Sequence, residues 1–275
     1  MRNERGGWRH LILPPLAVLF LLPLVWMVTT SLREIGQPLA RGLEWVPEPV
    51  AWSNYPAVFD LLSLWRYAAN STFVVVVAVP LTILVASWAG FAMAQVSRTW
   101  RTRLTLFSFA VLMVPLTAIW LPRFILFSQI GLNDTAWALI APAAMGTSPF
   151  YVLLFLWTFL RVPAEIFEAA RLDGASALRA WGGIAMPLAR PTIVAVGMLA
   201  FVVYWSNFID PLIYIQSTDK QTLPFALSAL YQLDRSNWPL LMAGATLVTA
   251  PVVLVFLLAQ RAFLGQFRDQ GWLGR

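Results

Sequence analysis

A charged stretch separates two long apolar runs and has the sequence Val162-Pro-Ala-Glu-Ile-Phe-Glu-Ala-Ala-Arg-Leu-Asp-Gly-Ala-Ser-Ala-Leu-Arg-Ala-Trp-Gly-Gly-Ile-Ala-Met-Pro-Leu-Ala-Arg-Pro191. We call it the island. Its pattern predicts two short helices joined near Gly174, since glycine takes the left-handed backbone that ends a helix. The first helix is expected from about Ala164 to Asp173, with Glu168 and Arg171 spaced as an i, i+3 pair.

The second half of the island is expected to form a helix from about Ser176 that Pro187 and Pro191 close, because proline lacks a backbone donor and disrupts the preceding turn. Taken alone, the island fits two interpretations. It suits a solvated amphipathic segment on a membrane surface as well as a contact site for another protein.

Composition indicates an integral membrane protein. The chain has 275 residues, of which 59% are hydrophobic and 12% charged, whereas soluble domains are about a quarter charged. The absence of cysteine and the single histidine, His10, exclude disulfides, thiolate metal sites and histidine-based catalytic sets. No P-loop motif occurs, and the lone lysine is Lys220. We therefore expect no enzyme activity, no metal site and no cofactor in this chain.

The apolar runs predict an all-α integral membrane protein with six transmembrane helices in a single domain over residues 1–275. Each run approaches or exceeds the roughly 20 residues that cross a bilayer. The intervening segments 33–66, 98–103, 128–134 and 216–237 are expected to be loops. The predicted spans are about 11–32, 69–94, 104–127, 135–160, 192–215 and 238–260.

The arginines predict the orientation of these spans. Positive residues concentrate on the cytoplasmic side of membrane proteins, so the island and both termini are expected to be cytoplasmic. That orientation also explains the net charge of +6 without nucleic-acid binding. The opposite side holds Arg33, Arg41, Arg66, Lys220 and Arg235. The residues on the predicted cytoplasmic side are Arg2, Arg5, Arg9, Arg98, Arg101, Arg103, Arg161, Arg171, Arg179, Arg190, Arg261, Arg268 and Arg275.

The island resembles the EAA signature of bacterial ABC-importer permeases. The resemblance rests on Val162-Pro163, Glu165-Ile166, Glu168-Ala-Ala, Asp173-Gly-Ala, Ile184, Pro187 and Pro191. Outside the island, the chain is similar to the six-span partner of the maltose type in the carbohydrate-uptake branch. That similarity rests on Asn70-Ser71, Trp205-Ser-Asn-Phe-Ile-Asp-Pro-Leu212 and Gln260-Arg-Ala-Phe263. Ser206, where the branch commonly has Asn, and the tail after Phe267 depart from its pattern.

The resemblance implies a permease that forms half of a sugar translocation pathway in the bacterial inner membrane. It implies a second homologous permease, an extracytoplasmic solute-binding protein, and two ABC ATPase subunits that bind ATP and Mg. The island, as the cytoplasmic EAA loop 162–191, would dock on an ATPase. Asp173 also suits local capping, and Arg171 and Arg179 also suit plain positive-inside charges. The implied coupling residues are Glu165, Glu168, Ala169, Ala170, Arg171, Asp173, Gly174, Ile184 and Pro187.

Four residues are candidates for lining the pathway: Arg123, Trp205, Asn207 and Asp210. Charges inside apolar runs usually face a cavity or a partner. Pairing at the outer interface is the alternative for Arg123 and Asp210. For the whole chain, the alternatives are an ABC permease for glycerol-phosphate-type solutes, a secondary transporter with its own coupling-ion site, and a membrane-anchored scaffold.

Overall fold

The computed structural model describes residues 7–35, 45–145, 148–234 and 236–269, with side chains between residues 12 and 260 of those ranges. No strand occurs in these ranges, which confirms the all-α prediction. A π-helix, Trp181–Ala185, follows α9, and a 3-10 turn, Thr218–Lys220, precedes α13. The α-helices are α1 Gly7–Ser31, α2 Asn54–Leu61, α3 Leu64–Gln95, α4 Arg98–Leu112, α5 Leu116–Gln129, α6 Ala136–Ala144, α7 Pro149–Phe159, α8 Ala164–Leu172, α9 Ala177–Ala180, α10 Met186–Leu188, α11 Arg190–Trp205, α12 Ile209–Tyr214, α13 Leu223–Leu233 and α14 Trp238–Asp269.

The described residues contain four to six candidate membrane spans, depending on how two bent helix pairs are counted. The pairs are α4 with α5, bent by 89°, and residues 177–188 with α11, bent by 83°. The six-span arrangement stays a prediction. Four stretches are long and apolar enough to cross a membrane without being joined to another helix: Ile12–Ser31, Leu64–Gln95, Ala136–Phe159 and Trp238–Gln260.

Residues 98–103 were expected to be a loop, and the structure corrects this. They form the first turns of α4, and the connection from α3 is only Val96 and Ser97. The guanidinium of Arg101 donates to the carbonyl oxygens of Ala94 and Val96 at 3.0 Å each. Because the last carbonyls of a helix lack partners within it, a cation there satisfies them and complements the helix dipole.

Pro187 and Pro191 do not close the second helix of the island. Each occupies one of the first two positions of a helix, Pro187 in α10 and Pro191 in α11. Proline is favourable there, because its fixed φ suits a helix and its missing donor would be unpaired anyway. The chain instead bends at Ala189, the single residue between the two helices.

Three further segments differ from the predictions. The expected loop 216–237 contains α13, and the expected loop 33–66 contains α2. Asn54, at the start of α2, is buried and donates to the carbonyls of Ser31 at 2.8 Å and Arg33 at 2.6 Å. The predicted span 192–215 is interrupted between α11 and α12.

Contacts divide the chain into two compact units, Met1–Trp65 with Ala226–Pro251 and Arg66–Phe225 with Val252–Arg275. The single domain over residues 1–275 therefore stays a prediction. The island and all four pathway candidates lie in the second unit.

A close helix crossing organises the second unit. A Cβ atom at Gly90 of α3 would lie 2.7 Å from the Phe155 Cβ of α7 and 2.9 Å from the Val152 carbonyl oxygen. Only glycine permits that approach. The next residue, Phe91, packs edge-on against Phe159 of α7 at 5.7 Å and Phe167 of α8 at 5.6 Å between ring centroids. The crossing therefore brings the island against α3.

The opposite end of α3 is fixed by polar contacts. Asn70 donates to the carbonyls of Asp219 and Gln221 at 2.9 Å each, and Ser71 accepts from the Leu223 amide at 2.9 Å. Nearby, Asp134, in left-handed backbone at φ +62, binds Lys220 at 2.8 Å. Lys220 and hydrogen bonds from Ser217 hold the pKa of the Asp134 carboxyl well below its usual range.

We predict that Gly90→Ala destabilises the protein by roughly 1–3 kcal/mol, the usual range for overpacking a well-packed site. Gly197→Ala is the matched control, because its Cβ would meet Ile83 Cδ1 at an ordinary 3.5 Å. That control should be neutral or up to about 1 kcal/mol more stable, since alanine favours helix. Thermal unfolding of both variants in detergent measures the difference. Equal stability of the two would contradict the crossing.

Candidate functional site

The first helix of the island, α8, has one face turned inward and one exposed. Phe167 and Ala170 are buried against the rest of the second unit. The exposed side carries Glu165, Glu168, Ala169 and, at 89% exposure, Leu172. Ala170 therefore lies close to its own chain, which its small side chain permits.

The turn after α8 has the geometry expected at Gly174. Its φ is +76. The Gly174 amide donates to the Arg171 carbonyl at 3.0 Å, and the Ala175 amide donates to the Ala170 carbonyl at 2.9 Å. These two bonds form the Schellman motif that ends a helix. Backbone atoms thus close the turn, and the exposed Asp173 carboxylate has no hydrogen bond to the described residues.

Arg171 contacts α3 rather than Glu168. Its guanidinium donates to the Gln95 side-chain oxygen at the end of α3, and no ion pair with Glu168 occurs among the described residues. The expected i, i+3 pair is therefore replaced by a contact between helices. Glu168 remains exposed on the outer face of α8.

The second half of the island starts at Ser176, whose hydroxyl accepts from the Arg179 amide at 3.3 Å as an N-cap. The π-helix follows, and its Trp181 ring lies 4.9 Å from that of Trp88 on α3. Single π turns inside helices are frequent at functional sites. Ile184 is half-buried and Pro187 is exposed.

A cavity of about 530 Å³ lies within the second unit, bordered by residues of α3, α4, α5, α6, α7, α11 and α12. Its wall is mainly apolar, with polar groups at a few points. Arg123, Asn207 and Asp210, three of the four pathway candidates, line it. The other polar lining residues are Thr82, Ser148, Tyr151 and Tyr204.

The three pathway candidates form one cluster. The Arg123 Nη1 lies 3.8 Å from Asp210 Oδ2, with side-chain exposures of 10% and 16%. Asn207 donates to the same Asp210 oxygen at 2.8 Å and accepts from the Asp210 amide at 3.1 Å. The second bond satisfies a backbone amide in the first turn of α12, which has no partner within that helix.

Trp205 lies apart from this cluster. It is buried, stacks on Phe201 with ring centroids 5.6 Å apart, and does not line the cavity. Tyr204 was missed by the sequence analysis, although it lies in the last turn of α11, three residues before Asn207. Its hydroxyl is 3.5 Å from that of Thr82, which was also missed.

The family described as binding-protein-dependent transport system inner membrane component matches residues 82–268, which include the cavity cluster and the island. The chain belongs to that family. It is an integral, multi-pass membrane protein and the permease subunit of an ABC importer, as the island predicted.

Named relatives align over almost the whole chain. The arabinooligosaccharides transport system permease protein AraQ of Halalkalibacterium halodurans is 30% identical over 252 residues, covering 90% of each chain. The lactose transport system permease protein LacG of Rhizobium radiobacter is 30% identical over 266 residues, covering 97% of this chain and 94% of that protein.

A solved structure has the same fold. It is described as a bacterial ABC transporter involved in the import of the acidic polysaccharide alginate. Its superposition gives a TM-score of 0.74 at 20% identity, covering 96% of this chain and 99% of the other.

We predict that Asp210→Asn destabilises the protein by up to about 3 kcal/mol, because it leaves the mostly buried Arg123 without its counter-charge. Asp219→Asn, at an exposed carboxylate, should change stability by less than about 0.5 kcal/mol. An Arg123→Met, Asp210→Leu double variant should lose less than the sum of its single variants. Detergent unfolding curves measure all of these, and additive losses would contradict the pairing.

Proposed function

We propose that this chain is one of two homologous permeases of an ATP-driven importer of neutral di- or oligosaccharides. An extracytoplasmic solute-binding protein delivers the sugar, and two separate ATPase subunits bind ATP and Mg. The island docks on one ATPase subunit from the cytoplasmic side. The observation that carries this function is the exposed face of α8 and its turn.

The docking face consists of Glu165, Glu168, Ala169, Leu172 and Asp173. Leu172 projects an apolar side chain almost wholly into solvent, and such a side chain gains free energy when a partner covers it. Leu172 and the three carboxylates around it would fit a cleft on the ATPase that has an apolar floor and basic residues at its rim. Ile184 and Pro187, in the second half of the island, are proposed to take part in the same coupling. Ala170 and Arg171 contact the chain itself and support the face from within.

The positions of the contacts along α3 support the proposed orientation of the chain in the membrane. The island packs at the Gln95 end of α3, whereas Lys220 and the loop after α12 lie at its Asn70 end. A helix of 32 residues is long enough to span the bilayer, so these ends belong to opposite sides. The six spans follow from the apolar runs, and the cytoplasmic side of both termini follows from the arginine distribution. Residues 1–6 and 270–275 lie outside the described residues.

The charge balance of the cavity favours a neutral solute. Among its lining residues, Arg123 is the single cation and Asp210 the single carboxylate, and each offsets the other. A glycerol-phosphate-type solute would need a cation without a nearby counter-charge. Asn207, Tyr204 and Thr82 supply hydrogen-bonding groups suited to hydroxyls, and Tyr204 and Tyr151 supply aromatic rings. The relatives named for arabinooligosaccharides and lactose support the same solute class.

We predict that Leu172→Asp weakens binding of the ATPase subunit about tenfold or more, as expected when a central apolar contact becomes charged. Glu168→Arg should weaken it as well, through repulsion from a basic rim. Leu233→Asp is the matched control, because Leu233 is also exposed, at 64%, but lies outside the island. Co-purification of the permease with its ATPase checks this. Undiminished binding by Leu172→Asp and Glu168→Arg would disprove the docking face.

We predict that the reconstituted importer transports a neutral oligosaccharide with ATP and does not transport glycerol phosphate. Calorimetry on the solute-binding protein identifies the ligand to use. Uptake that follows an ion gradient without ATP would favour the secondary transporter instead. Uptake of glycerol phosphate alone would overturn the neutral-solute assignment while leaving the docking face intact.

A further inference from the structure

Three successive turns of α3 contact the island. Trp88 lies against Trp181 of the π-helix, Phe91 against Phe167 of α8, and Gln95 accepts from Arg171 at the end of α8. The residues at positions 88, 91 and 95 follow the i, i+3, i+7 spacing of one helix face. The island is thus held against α3 at three points.

The same helix forms part of the cavity wall. Thr82, Val85 and Ala86 line the cavity, within the two turns that precede Trp88. No proline lies between Thr82 and Gln95, since the proline of α3 is Pro80. An uninterrupted helical segment therefore connects the island contacts to the cavity, and a rigid helix transmits displacement between its ends.

The Gln95 contact compensates for incomplete packing. A second cavity of about 290 Å³ lies there, lined by Phe91, Gln95, Phe167, Arg171, Ala175, Ala177 and Ala180. Because this gap separates much of the turn from α3, the Arg171–Gln95 hydrogen bond restrains a joint that packing alone leaves loose. Both side chains are exposed, so the bond contributes little to folding stability.

We propose that Gln95 and Arg171 are positioning residues of energy coupling, which make the island and the cavity-lining half of α3 move as one body. The proposal rests on the proposed function, because it requires an ATPase that moves the island. Loss of the bond then lets the island move without α3. The ATPase still turns over, but less solute crosses per ATP hydrolysed.

The test uses the complete importer in proteoliposomes with its solute-binding protein, and it measures solute uptake and ATP hydrolysis together. Gln95→Leu and Arg171→Met should each lower solute transported per ATP by about fivefold or more, the scale of a typical coupling free energy. The double variant should be no worse than either single variant, because both remove one bond. Gln95→Glu keeps an acceptor for Arg171 and should retain the ratio.

Arg179→Met is the matched control for the loss of charge. Arg179 is an exposed arginine of the island whose side chain has no hydrogen bond or ion pair to the described residues, so its loss should leave the ratio unchanged. An equal effect of Arg179→Met, or additive effects in the double variant, would overturn the proposal. If the Arg171→Met permease fails to assemble with its ATPase, the Gln95→Leu variant alone tests the proposal. That substitution changes no charge and lies outside the docking face.

A cross-link tests the same idea in the opposite direction. The chain has no cysteine, so a Gln95→Cys, Arg171→Cys variant can be joined selectively by a short bifunctional thiol reagent. Cross-linking should restore the amount of solute transported per ATP, which the two substitutions lower. Loss of transport on cross-linking would show instead that the island must slide along α3. A wild-type complex without ATP-dependent uptake would refute the proposed function itself, a result distinct from either outcome.

Discussion

The absence of a side chain at Gly90 is the constraint on which the second unit depends. Lipid tails are as apolar as leucine, so helices in a bilayer associate through close packing rather than through the hydrophobic effect. At Gly90 the α3 backbone reaches the backbone of α7. Phe91, one residue later, then fits between Phe159 and Phe167. Without this crossing, the island would lose the aromatic packing of Phe167 on Phe91 of α3.

The island combines two surfaces that need different chemistry. Its inner side uses aromatic rings, small residues and one exposed hydrogen bond, which hold it to α3 without filling all the space between them. Its outer side presents carboxylates around Leu172, which nothing in the described chain covers. The island packs on α3 on one side and is exposed on the other. This arrangement suits the transfer of displacement, because a partner bound to the exposed side would push against α3 through the packed side.

Sequence patterns predicted the parts of this design that depend on local chemistry. The turn at Gly174 was predicted because left-handed backbone selects glycine, and the second helix was predicted to begin at about Ser176. Other features depend on residues distant in sequence. Arg171 was paired with Glu168 by spacing, but Gln95, 76 positions away, competes for it. Trp205 and Asn207 were both predicted to line the pathway, yet Trp205 ends α11 and stacks on Phe201, whereas Asn207 lies in the break after that helix. Pro191 was misassigned because proline both ends helices and begins them.

The pairing of Arg123 with Asp210 bears on how the cavity works in a membrane. A charge that moves across a membrane potential of 100 mV changes energy by about 2.3 kcal/mol, so a conformational change that carried an unpaired cation through the field would depend on voltage. A pair that moves together carries no net charge. At 3.8 Å the pair is also longer than a direct hydrogen bond, so both groups keep hydrogen-bonding capacity on the cavity wall. The cluster thus places polar groups on the cavity wall without adding a net charge.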